Sequence, residues 1–413
     1  MPTEMVGSVM VERHAVARPG GKPRAPGKRL RPLNVAWLSV LAGVGLSVVG
    51  VYGIDVAESV QGTGDLSATS LKQLLFLAIG LGAGAVVAVP HYRVFGRLSW
   101  PAYAGLVGLL VFLLIPFVPL WLVEPQNGAR AWINFGSFNF QPSELGKVVY
   151  VAALAWYLRF RKHHRRFTGL LPPAIITAIP VGLITLQPDL GTAMLFVPAL
   201  FAVLLGAGAR LRHLVVVVLL SAAAAPAAYP LLKPHQQARI DGLVKQFQGD
   251  RSADQDINMQ SRVAQRLIAA GGAQGVGDAK SRALVRYNAL PERHNDMVFA
   301  VLVNRSGALG GAAIVGGLLL WVAGALLTAA FTRDPFGRLL VIGLAGIVAA
   351  QAFVNIGMNL GVLPIIGVTL PFVSYGGSSL ITTWIMTGLV FGVALRPPKP
   401  PVRAAFDHFE EDE

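Results

Sequence analysis

The chain has 413 residues, of which 54% are hydrophobic and only 14% charged, with a mean hydropathy of +0.58 and a formal net charge of +14. That balance excludes a soluble globular domain, in which about a quarter of residues are charged, and points to a polytopic membrane protein. No apolar stretch alternates at strand period, which excludes a β-barrel, and the absence of cysteine excludes disulfides and thiolate metal sites.

Residues 1–32, rich in Pro, Gly and Arg, read as a disordered basic arm and not as a signal peptide, since no apolar core follows at the expected distance. Apolar runs of about 20 residues follow, each long enough to cross a hydrocarbon core of about 30 Å as a helix. They cover 33–51, 71–89, 99–120, 144–158, 170–186, 190–205, 214–231, 297–331, 339–360 and 378–395. The expected fold is therefore all-α, with about ten transmembrane helices in a domain spanning 33–396. The fourth run is short, and the eighth is overlong and interrupted by Asn304-Arg305-Ser306-Gly307. Pro116, Pro180, Pro198 and Pro226 lie inside runs and predict kinks. Residues 397–413, ending FDHFEEDE, read as an acidic solvated tail.

Charge placement supplies an independent topology, because cytoplasmic loops hold the excess of Lys and Arg. The basic arm, Arg93 with Arg97, the run from Arg159 to Arg166, Arg210 with Arg212, Arg333 with Arg338, and Arg396 with Lys399 all fall on one side. Asp55, Glu58, Asp65, Glu124 and the loop 232–296 fall on the other, so both termini are expected in the cytoplasm and the long loop outside. These anchors account for the net charge and would meet anionic lipid headgroups. Scattered over several loops without interleaved aromatics, they do not describe a nucleic-acid surface.

Four clusters carry chemistry, all at the outward end of this topology. In NGARAWINFGSFNFQPSELGK (127–147), Pro142 begins a helix on which Glu144 and Lys147 share a face and can pair, either as a structural bridge or toward a substrate. Arg130 and Trp132 just upstream fit an interface anchor or a platform for an amphiphile. In LQPDLGTA (186–193), Asp189 suits an N-cap or a ligand contact. The loop 232–296, at about 65 residues, exceeds ordinary connections and carries Arg239, Gln265 and a glycine-dense stretch 271–277 that expects close backbone approach. It ends in PERHNDMVFA, where Asp296 places a carboxylate at the junction with an apolar run, an arrangement that marks a functional site. In NIGMNLGVLPIIGVTLPFVSYGGSS (355–379), Pro and Gly spacing predicts non-helical backbone at membrane depth, lined by the hydroxyls of Ser374, Tyr375, Ser378 and Ser379.

QPSELGK, QPDLGTA, PERHNDMVFAV and LPIIGVTLPFVSYGGSS, in this order and spacing, resemble the shape, elongation, division and sporulation family, the RodA and FtsW proteins. The resemblance runs from about Leu33 to Leu395, with a slight lean toward the RodA branch in QPDLGTA and NIGM. It implies a ten-helix fold and an enzyme that polymerises the lipid-linked disaccharide-pentapeptide of bacterial cell wall, lipid II, on the outer face of the cytoplasmic membrane. The family's essential acid falls on Asp296, its ion pair on Glu144 and Lys147, its loop tryptophan on Trp132 and its loop arginine on Arg239. It also implies a class B penicillin-binding protein as transpeptidase partner, together with elongation or division machinery. The chain departs from the pattern at Asn304 and Arg305, where two acids are usual, at Arg266 after Gln265, and in the shortened glycine stretch.

Glycosyl transfer from a polyprenyl diphosphate needs a base near the acceptor hydroxyl and positive charge near the departing diphosphate. Asp296 fits the base; Arg130, Arg239 or Lys147, alone or with a divalent cation such as magnesium or manganese, fits the charge. No His or carboxylate cluster has metal-ligand spacing, so no resident metal or other cofactor is expected. A lipid flippase in which Glu144, Lys147 and Asp189 gate a headgroup path is the first alternative, and a non-catalytic scaffold for a transpeptidase is the second.

Overall fold

A computed structural model of the chain describes residues 32–59, 66–119, 121–123, 125, 129–136, 138–231, 234–248, 250 and 258–396. The basic arm, the acidic tail, Asp65 and Glu124 lie outside the described residues.

Every apolar run becomes a helix. The described helices are α1 (Pro32–Glu58), α2 (Ala68–Ala88), α3 (Arg93–Leu114), α4 (Pro142–Leu158), α5 (Leu171–Leu186), α6 (Leu190–Ala207) and α7 (Leu211–Ala228). After them come α8 (Pro234–Phe247), α9 (Met259–Gly271), α10 (Asp278–Tyr287), α11 (Val298–Phe331), α12 (Pro335–Asn359) and α13 (Gly377–Ala394). Among the described residues 8 helices are long and apolar enough to cross a membrane; α4, at 17 residues, and the apolar part of α7, Leu211–Ala224, are shorter. A two-stranded antiparallel hairpin, β1 (Ile133–Asn134) with β2 (Asn139–Phe140), precedes α4.

Local chemistry fixes the helix starts. Ser67 caps α2 by accepting from Ser70 N at 3.1 Å, and Asp334, with Pro335 at the first helical position, caps α12 by accepting from Gly337 N at 3.0 Å. Pro180, Pro198 and Pro226 sit inside helices as expected, but Pro116 lies beyond the end of α3, which stops at Leu114. The apolar run continues past that point, whereas the backbone turns, so composition alone overextended the third span.

The core pairs α1 with α11, α2 with α13, α6 with α12 and α3 with α4. Small residues permit the tightest of these approaches: a Cβ at Gly388 would stand 2.1 Å from the carbonyl oxygen of Gly84. At one end of the bundle Arg93 pairs with Asp334 at 2.6 Å, and Arg396 donates to Ala88 O at 3.0 Å. At the other end Arg282 pairs with Asp55 at 2.8 Å and Arg293 with Glu58 at 3.1 Å.

The segment 232–296 is not an irregular loop: its described residues are mostly the amphipathic helices α8, α9 and α10. The run-based reading missed them because their apolar positions are spaced one face at a time. The expected interruption of the eighth run is present as a break in α11 at Gly307 (φ 71°), a conformation that a side chain would strain. The glycine stretch approaches this break closely. Val276 N donates to Asn304 O at 3.0 Å, Ala308 N donates to Gly272 O at 2.9 Å, and a Cβ at Gly275 would stand 2.0 Å from Arg305 O. The glycines therefore serve backbone packing of the loop against α11.

Candidate active site

A cavity of about 1100 Å³ opens at the end of the bundle that carries α8 to α10. Its walls come from the starts of α2, α4, α6 and α13, from α8 and α12, from the turn before α11, and from the non-helical segment 360–376. The non-helical part of the 355–379 motif begins only after Asn359 and ends at Gly376, since α12 runs through Asn359, as the apolar run 339–360 implied, and α13 begins at Gly377.

Two asparagines of α12 hold the acid. Asn355 Nδ2 and Asn359 Nδ2 donate to the backbone oxygen of Asp296 at 2.9 and 2.8 Å, and Asn355 Nδ2 also donates to Val368 O at 2.7 Å. Asn359 Oδ1 accepts from Ala300 N at 3.2 Å at the start of α11. The main chain of Asp296 is thus pinned to α12 and to the 360–376 segment, while its carboxyl faces the cavity. Burial pushes that carboxyl up to about 7; Glu292 and Asp189 add to the rise, and Arg239 opposes it.

Glu144 lines the cavity, and Lys147 lies behind it, 1% exposed, with Nζ 2.9 Å from Glu144 Oε1 and 3.1 Å from Gln351 Oε1. Gln351 Nε2 in turn donates to Thr369 O at 3.0 Å, and Thr369 Oγ1 shares a hydrogen bond with Ser379 Oγ at 2.9 Å. Asp189 caps a helix, as its motif allowed, and also bonds across the cavity wall. Its Oδ1 accepts from Thr192 N at 3.0 Å as the cap of α6, and its Oδ2 accepts from Gln141 Nε2 at 2.9 Å on the cavity wall. Ser378 Oγ accepts from Gln141 N and donates to Asn139 O, both at 3.1 Å, joining α13 to the hairpin. Trp132, Arg239 and Tyr375 also line the cavity.

Four expected residues are not part of the cavity wall. Arg130 points toward Val118 O, 3.4 Å away, because the hairpin turns it from the opening. Lys147 is shielded by Glu144, as described above. Gln265 donates to Ser261 Oγ at 3.2 Å on its own helix, packed against Gly361. Ser374 is buried: its Oγ accepts from Leu370 N at 2.7 Å and its backbone oxygen accepts from Gln73 Nε2 at 2.9 Å. Its hydroxyl closes a turn of the segment and contributes nothing to the lining. Conversely, Lys72 at the start of α2 lines the cavity and makes no ion pair among the described residues. The signal for it was present as a lone cation at the mouth of a span. Glu292, Gln141 and Gln351 were also overlooked.

The comparisons place this geometry. The family of cell cycle proteins that groups FtsW, RodA and SpoVE matches residues 34–397. The chain belongs to this family. Curated FtsW/RodA/SpoVE relatives include the probable peptidoglycan glycosyltransferase FtsW of Thioalkalivibrio sulfidiphilus, 33% identical over 363 residues, covering 86% of this chain and 88% of that protein. The protein of the same name from Thiomicrospira cyclica is 34% identical over 362 residues, covering 86% and 90%. Among solved structures, a chain of a peptidoglycan synthase complex that coordinates polymerization and crosslinking superposes with a TM-score of 0.73 at 31% identity, covering 88% of this chain and 98% of its own. The rod shape determining protein RodA of Thermus thermophilus does so with a TM-score of 0.65 at 27% identity, covering 88% and 98%. Among the described residues no group of three or more His, Cys, Asp or Glu side chains is placed to hold a metal ion.

Proposed function

We propose that this chain is a peptidoglycan glycosyltransferase that polymerises lipid II on the outer face of the bacterial cytoplasmic membrane. The observation that carries the reading is Asp296: a carboxyl at the wall of a large cavity, held by its main chain, with Arg239 and Lys72 as cations on the same walls. In its ionised form Asp296 takes the proton from the 4-hydroxyl of the acceptor's N-acetylglucosamine. That oxygen bonds to the anomeric carbon of the donor's N-acetylmuramic acid with inversion, while the bond from that carbon to the diphosphate breaks. The departing diphosphate carries away the electron pair and gains negative charge, which Arg239 and Lys72 offset. Glu144, paired with Lys147, and Gln141 supply hydrogen bonds to sugar or peptide. Magnesium or manganese enters this proposal only as a counter-ion carried in on the diphosphate.

The outward placement rests on the charge rule, which assigns the cavity end of the bundle to the side whose short loops are poor in Lys and Arg. A class B penicillin-binding protein is the proposed partner, supported by the likeness to a chain of a peptidoglycan synthase complex. The FtsW names of the curated relatives favour division over the elongation role toward which NIGM leaned.

The test is polymerisation of labelled lipid II by purified protein, with and without the transpeptidase partner, comparing Asp296→Asn with the wild type. A positioned base is worth about 10² to 10⁴-fold, so the variant should lose that much rate while keeping its thermal transition. Polymerisation at the native rate would remove Asp296 from the chemistry. A wild type that moves lipid II across vesicles without joining it would favour the flippase reading.

A further inference from the structure

The hairpin holds two phenylalanines in the open. Phe135 and Phe138 are 57% and 47% exposed, and their rings stack with centroids 5.3 Å apart and planes 23° from parallel. The unit beneath them is firmly built. Phe135 N donates to Phe138 O at 3.0 Å, Asn134 N donates to Leu122 O at 2.7 Å, and Ile133 buries itself with Leu113, Val118 and Val123. Phe138 also lines the cavity, as does Phe76 of α2, which stands one turn beyond Lys72. The stack therefore joins the cavity wall, at Phe138, to an exposed apolar edge, at Phe135.

We propose that the Phe135–Phe138 stack is the contact surface for the polyprenyl chain of the lipid-linked substrate. The inference rests on the glycosyltransferase reading and extends it from the sugar to the lipid. The substrate joins sugar, diphosphate and isoprenoid in that order. With the sugar at Asp296 and the diphosphate near Lys72 and Arg239, the isoprenoid has to leave a polar cavity toward the membrane. The stack is an apolar wall continuous with that cavity, and aromatic faces pack well against branched methyl groups and double bonds. Phe117 and Trp121, 90% and 73% exposed on the neighbouring segment, do not line the cavity and act as ordinary interface aromatics.

The experiment measures polymerisation by the full chain in vesicles, with the disaccharide-pentapeptide carried on undecaprenyl or on farnesyl diphosphate. The Phe135→Ala/Phe138→Ala variant should raise KM for the undecaprenyl substrate by about tenfold, the equivalent of about 1.4 kcal/mol, while the farnesyl substrate changes by less than about twofold. Phe135→Leu/Phe138→Leu should restore most of the difference, and Phe117→Ala/Trp121→Ala should leave the chain-length dependence unchanged. Equal loss on both substrates, no loss, or the same selective loss in the Phe117/Trp121 variant would overturn the proposal. A wild type that polymerises neither substrate would overturn the glycosyltransferase reading beneath it.

Discussion

Two clusters of charge sit at the same end of this bundle and are built on opposite terms. Glu144 and Lys147 form a pair with side chains 8% and 1% exposed, one turn apart on α4, with Glu144 facing the cavity. Asp278, Arg282, Arg305 and Asp55 form a wider cluster, in which Asp278 and Arg305 keep 42% and 32% of their side-chain surface. Arg305 lies over the Tyr52 ring at 4.0 Å and bonds to Asp278, as does the Tyr52 hydroxyl. The first cluster is dry and opens onto the site; the second is dry at Arg282 and Asp55 but wet at Asp278 and Arg305, lies off the cavity wall, and binds α10 to α1 and α11. Arg305, where the family resemblance implied an acid, thus has a structural partner in Asp278. The contrast shows that Asp278 and Arg305 pair where solvent still reaches them, whereas the charges buried within the bundle, Glu144 with Lys147 and Asp55 with Arg282, each have a matched partner.

Breaking the dry pair should cost the most. Lys147→Met leaves the Glu144 carboxylate buried and unpaired, with an expected loss of about 3 to 5 kcal/mol, seen as a large drop in Tm in detergent. Glu144→Gln/Lys147→Met should recover most of that stability and yet polymerise poorly, because the cavity loses a carboxylate. If the double variant regained full activity, the pair would be a bridge and nothing more. Arg305→Ala tests the wet side of the second cluster. The Asp278 carboxyl, which burial would raise, is drawn below its ordinary value by Tyr52 and by Arg305 and Arg282. With both partners well exposed the expected loss is about 1 kcal/mol or less, shrinking further in high salt, and polymerisation should fall only a few-fold.

The smallest expected effect is a shift in pH dependence. With the Asp296 carboxyl near 7, the base form grows in as pH rises through that value, so polymerisation should show an acid limb there. Glu292→Gln removes a raising charge and should move the limb to lower pH; Arg239→Gln removes a lowering one and should move it higher. For stability the sign is reversed. The folded state holds the Asp296 proton more tightly than the unfolded chain, so this group's contribution is present below the ordinary carboxylate range and is lost as pH rises toward 7. A pH profile unmoved by either substitution would separate the limb from Asp296.

Composition and local pattern determined the membrane-spanning helices, the i,i+3 pair on α4, the Asp189 cap, the break near Gly307 and the position of Asp296 just before a helix start. Each of these depends on residues within one or two turns of each other, where period and capping rules apply directly. The amphipathic helices of the 232–296 segment were readable in principle, but a search for long apolar runs passes over them. Which side chains turn into the cavity was decided by tertiary packing. Ser374 and Ser378 stand four residues apart in one motif, yet the first closes a turn inside its own segment while the second reaches the hairpin and Gln141. Arg130 was an expected cation and Lys72 an overlooked one, yet the fold turned the first toward Val118 and set the second on the cavity wall. Outside regular helices no period fixes the direction of a side chain; the backbone hydrogen bonds of distant segments do, and those exist only once the chain has folded.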